Sequence, residues 1–197
     1  MSRKLLGINV FQVDTVQQHE LGVETEDVKG GEGILSFSEF LPVQSATGGL
    51  AKVTTPKFYD PHGVYRYVKA GTGGLAIGVA AGIETGATDL ALPHVLINMT
   101  AEGVIQGVPI TTIPVNSFGW VQIHGKHYDL SVADAVADDV ALEPAAGPSL
   151  VLAVLDIAHY AAAYGGLAIR KIVDQTTLFT AVGLTGVADR GIGYIRW

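Results

Sequence analysis

A mainly β fold is expected of this chain: a small β-barrel or β-sandwich domain with an extended N-terminal arm and one short helix. Three features lead there. The 25 glycines, with abundant valine, threonine and alanine, favour short strands and tight turns, and only 16% of residues are charged, below the quarter usual in globular proteins. From residue 57 onward, short apolar or alternating runs are punctuated at regular intervals by glycine, proline, asparagine and aspartate, the spacing of sandwiches and barrels. With 48% hydrophobic residues in 197, one substantial core can form, alone or with an arm attached.

Residues 1–55 read as the arm. They are acidic and weakly periodic, with Glu20, Glu24, Glu26, Asp27 and Glu32 crowded around Gly30-Gly31. Apolar anchors are short: Leu5 to Val13, with Phe11, and Leu35 to Leu41, with Phe37 and Phe40. So little apolar surface does not offset the chain entropy of ordering the segment alone. It therefore either needs a partner or wraps its own domain.

Residues 56–197 read as the β-rich domain. Asp60-Pro61-His62-Gly63 forms a turn, because proline presets φ and glycine reaches conformations closed to other residues. A strand follows over 64–70, with Val64, Arg66, Val68 and Ala70 on one face and Tyr65, Tyr67 and Lys69 on the other. Neither face is purely apolar, as expected of a sheet whose tyrosines meet something. Further strands are expected over 75–83, 93–99, 103–113, 118–124, 127–132, 139–143, 167–173 and 190–197. Pro109 and Pro114 fall near strand ends, where a missing amide hydrogen is tolerated. On the strand 118–124, Trp120 and Gln122 share one side, and core packing is the commoner fate of such a tryptophan. Gly147-Pro148-Ser149 can open a helix over 150–164, closed by Gly165-Gly166, although so apolar a run suits a buried strand equally well.

The charge of −7 and the lack of a basic block argue against nucleic-acid binding, which draws its affinity from cations on phosphates. Membrane residence is not expected, because the most apolar window, 150–169, is interrupted by Asp156, His159 and Gly165-Gly166. The N-terminus carries no small-residue cleavage pattern, so synthesis in the cytoplasm is expected. With no cysteine, the chain has no disulfide, thiolate ligand or thiol nucleophile.

Several patterns imitate chemistry. Gly71-Thr72-Gly73-Gly74-Leu75-Ala76 matches a dinucleotide fingerprint, yet neither a buried strand before it nor a helix after it is indicated. His124 and His127 could flank a hairpin turn and share a metal, but two histidines alone make a weak site, and hydrogen bonding between strands is the commoner role. Asp134, Asp138 and Asp139 lack the oxygen ladder of a calcium loop and read as a solvated turn. No serine sits in a nucleophile elbow. No catalytic residue, cofactor or metal is therefore expected.

YRYVKAG followed by GLAIGVAAG, then GWVQIHGKHYDL, VADDVAL and a last strand ending in Trp197, resembles small structural proteins encoded beside phage major capsid genes. The likeness covers roughly residues 57–197, with Asp138-Asp139 standing where that family has glycine-aspartate. It implies a head decoration or cement protein on the capsid exterior, tying neighbouring capsomers together. The major capsid protein and further copies of this chain, as a dimer or trimer, are then the partners. Phe11, Phe37, Phe40, Tyr65 and Tyr67 are the candidate interface residues. A carbohydrate-binding module stacking sugars on Tyr65, Tyr67 and Trp120 is the alternative, with an unrecognised hydrolase behind it.

Overall fold

The computed structural model describes residues 6–29, 35–36, 58–83, 94–100, 104–134, 136–145, 151–154, 167–177 and 189–196. Their strands run in chain order as β1 (Leu6–Asn9), β2 (Glu24–Thr25), β3 (Asp27–Lys29), β4 (Leu35–Ser36), β5 (Phe58–Tyr59), β6 (Val64–Ala70) and β7 (Ala81–Ile83). They continue as β8 (Val95–Asn98), β9 (Val108–Pro109), β10 (Phe118–Ser131), β11 (Ala141–Pro144), β12 (Leu152–Val154), β13 (Ala168–Asp174) and β14 (Arg190–Arg196). The fold is mainly β, and its principal sheet curls into an open half-barrel. Eight strands lie in the order β12-β11-β13-β14-β10-β6-β8-β7, with β2 added on β6 and β9 on β10. Two parallel pairs, β1 with β3 and β4 with β5, stand apart.

The 14-residue β10 organises this sheet. Its first half pairs antiparallel with β6, Phe118 opposite Lys69 through His124 opposite Val64, and its second half with β14, Gly125 opposite Ile195 through Ser131 opposite Arg190. The two strands expected at 118–124 and 127–132 are therefore one. Gly125 bends it with φ +104°, and a Cβ there would meet the Asp60 carboxylate and Gly63. Two side chains fix the bend. Asp60 accepts the Lys126 N–H at 2.6 Å, and the buried Gln122 donates to the carbonyls of His124 and Lys126 at 3.1 and 3.2 Å.

Period-2 alternation gives the sheet two distinct faces. Inward, Gly125, Ile195, Ile169 and Leu142 pair across four strands and are all buried. Ile195, Ile169 and Leu142 join Val68, Ala70, Leu75, Leu96, Val121 and Ile123 in the larger core. A second cluster gathers Tyr65, Tyr67 and Trp120 with Val10, Val23, Tyr59 and Ile110. Residues 8–25 of the expected arm supply part of that cover, so this stretch wraps its own domain. Asp14 bridges Phe118, Glu24 and Thr25 pair with Arg66 and Tyr65, and Val10 and Val23 are buried.

Other expectations shift. Of the strand expected over 75–83, only Ala81–Ile83 forms one, because Gly74 and Gly78 take positive φ and turn the chain into a loop against β10. The run expected to open a helix at 150 instead forms β12, Leu142 pairing with Val154, while residues 155–166 lie outside the described residues. A helical turn begins at Gln175. In the Asp138-Asp139 turn the left-handed residue is Asp139, φ +62°, a conformation aspartate tolerates better than most side chains.

Candidate interaction surface

Among the described residues, the buried chemistry-bearing side chains are engaged in holding this fold. Tyr67 is the hub of the outer cluster. Its hydroxyl donates to Asp14 Oδ2 at 3.0 Å and accepts the Gln18 N–H at 3.2 Å. The ring stacks on Phe118 at 6.2 Å, tilts against Trp120 at 5.1 Å and meets the edge of His19 at 5.0 Å. Desolvation leads the causes that push the Tyr67 hydroxyl up to about 12. Tyr65 donates to the Asp60 carbonyl at 3.1 Å, and burial drives its ionisation well above the ordinary tyrosine range.

The tyrosines expected to meet a partner or a sugar are thus fully buried in the chain's own core, as is Trp120. The correction follows from residues 8–25, which cover that face of β6 and β10. Phe11 is half-buried, edge-on to Tyr59 at 6.3 Å. Phe37 and Phe40 lie outside the described residues.

The two histidines do not flank a turn. His124 is exposed, whereas His127 is enclosed on the other face of the same strand. His127 Nδ1 accepts the Asp129 N–H at 3.1 Å, which leaves Nε2–H to donate to the Pro109 carbonyl at 3.2 Å and ties β9 to β10. Desolvation, chiefly, lowers its pKa to about 4 and keeps it neutral. Asp129, raised by desolvation, meets Arg190 at 3.5 Å and Gln175 at 3.4 Å.

Lys171 is a buried cation that the sequence did not single out. Its ammonium reaches Asp174 at 2.8 Å, Asp138 at 3.0 Å and the Val136 carbonyl, so the 136–140 loop is clamped onto β13. Burial works against its charge, but the two carboxylates outweigh it and raise its pKa. Alternation along 168–174 would have placed Lys171 inward with Ile169, and DAVADD offered the acids to pair with it. A hydrogen bond to Asp134 raises the pKa of the exposed Asp189. Among the described residues, no three histidine or acidic side chains converge as metal ligands.

Among the described residues, exposed apolar side chains stand at several places on the exterior. Val16 and Val115 flank the Asp14–Phe118 bridge, 66% and 52% exposed. Ile83 stands on β7 and Val154 on β12, the terminal strands of the sheet order, and Tyr194 projects from β14. Compared with protein-family models, curated proteins and solved structures, the chain matches none.

Proposed function

We propose that this chain is a virion structural protein that binds the outside of a phage capsid and stabilises contacts between capsomers. Two of the motifs that carry the resemblance, YRYVKAG and GWVQIHG, contribute the neighbouring strands β6 and β10, paired with Tyr67 opposite Trp120. One observation carries the reading: among the described residues, the buried polar and titratable groups brace the fold, while exposed apolar side chains stand at several places on the exterior. Scattered contacts of this kind suit broad adhesion, in which many weak sites add through multivalency. The partners are the major capsid protein and further copies of the chain, on a shell that repeats each site by symmetry.

Particles lacking the chain test this. Their shells should disrupt at lower temperature than complete ones, and adding back the purified chain should restore the difference. Shells of unchanged stability without it would contradict the reading.

A further inference from the structure

The outer face of the sheet is covered by residues 8–25 over the first half of β10; over the second half Lys126 is half-buried and Tyr128 buried, and the exposed surface continues across β14, β13 and β11. Across that second half one register row runs Lys126 (β10), Tyr194 (β14), Arg170 (β13) and Ala141 (β11). Directly paired residues share a face, and the adjacent row is the buried inward one, so these four side chains point outward together. Tyr194 is 49% exposed, and Arg170 and Ala141 are exposed too. Two residues along β14 and β11 lie Arg196, exposed, and Glu143, half-buried. Cations stand on β10, β14 and β13, with the Lys126 ammonium 5.8 Å from the Tyr194 ring centre, and the acids lie at the β11 end, Glu143 on the strand and Asp139 just before it, the latter holding the Arg170 guanidinium of its own chain at 2.8 Å.

This order is self-complementary. A two-fold axis parallel to the strands, passing between β14 and β13, turns the face onto a second copy with left and right exchanged. The β10 end of one copy then meets the β11 end of the other, each about 7 Å from the axis at a strand spacing of about 4.8 Å. Lys126 comes over the other copy's Ala141, between its Glu143 and Asp139. Tyr194 comes over its Arg170, whose guanidinium can lie flat on the ring. Isologous contact of this kind is the commonest way identical chains pair.

We infer that the chain forms a two-fold dimer through this exposed outer face of β10, β14, β13 and β11, with Tyr194 and Arg170 at its centre. This rests on the homo-oligomer of the preceding reading and names its surface and symmetry. With few large apolar groups, the contact is polar and weakens as salt screens it.

Sedimentation equilibrium on the full chain at low and high salt tests the dimer. Dimerisation should weaken with salt, and Tyr194→Ala should weaken it about 30-fold, the size of an interface hot spot. Lys126→Glu and Glu143→Lys should each weaken it, and the two together in one chain should restore it, since an isologous contact swaps both charges at once. Unchanged far-ultraviolet circular dichroism and melting would show that the variants fold. A chain monomeric at all concentrations, or an oligomer indifferent to Tyr194→Ala and to the charge reversals, overturns the inference. Capsid binding is measured separately: a monomer that binds shells defeats only the dimer, and a dimer that ignores shells defeats only the capsid reading.

Discussion

Acid should destabilise this protein through His127, by an amount the structure sets. The ring is fully enclosed, and its two nitrogens serve two backbone partners in the neutral form, Asp129 N–H and the Pro109 carbonyl. Protonation would turn Nδ1 from acceptor to donor against the Asp129 N–H, in the field of Arg190. The native pKa is about 4, whereas a histidine in an unfolded chain sits near 6.5. Between those values the unfolded state binds more protons, so stability falls as pH drops through about 6.5 and levels off below about 4. A difference near 2.5 units, at about 1.36 kcal/mol each, comes to about 3 kcal/mol. Asp129, whose carboxyl is raised, acts oppositely near the lower end by favouring the protonated native state. His94, also lowered chiefly by desolvation, adds in the same direction as His127. Urea titrations at stepped pH on the wild type and on His127→Gln, which keeps an amide donor for Pro109, isolate the effect. The variant should lose most of the pH dependence between 6.5 and 4.5. Parallel stability curves for the two proteins would refute the reasoning.

Other perturbations test the packing. Trp120→Ala should cost about 3–5 kcal/mol in chemical denaturation, because it empties the centre of the outer cluster, whereas Tyr194→Ala should change monomer stability by less than about 0.5 kcal/mol. Gly78→Ala should cost about 3 kcal/mol or more, since a Cβ at φ +74° would run into the Asp129 carbonyl; a normal melting temperature would contradict the loop packing described. Lys171→Ala should cost about 2 kcal/mol, short of the 3–5 kcal/mol for fully buried pairs because Asp138 and Asp174 are about half exposed and rehydrate. Proteolysis of that variant should begin in the 136–140 loop.

Much of the sheet was legible because alternation survives wherever a strand has two unlike faces. The expectation at 64–70 coincides with β6, and those at 167–173 and 190–197 fall within a residue of β13 and β14. Alternation names two faces without saying what covers each. Tyr65 and Tyr67 were therefore assigned to an exterior that residues 8–25 in fact occupy. The same blindness made the first 55 residues look short of apolar partners, when Val10 and Val23 find theirs on the tyrosine face. Glycine misled in both directions. Gly125 reads as a turn between strands but bends one continuous strand, because Asp60 and Gln122 from elsewhere secure its backbone. Gly78, inside the apolar run 75–83 that reads as strand, breaks it with positive φ, and Gly74 turns the chain just before it. Tyr194 and Arg170 stand in predicted strands, yet their meeting depends on strand order, which local sequence does not encode.

The capsid-exterior role is tested most directly by purifying assembled particles and measuring how many copies of this chain accompany each copy of the major capsid protein. The account predicts a fixed, symmetry-related ratio, with the chain seen on the outside of the shell by electron microscopy. Particles assembled in its presence that carry none of it, or that carry it inside or in varying amount, would contradict the account.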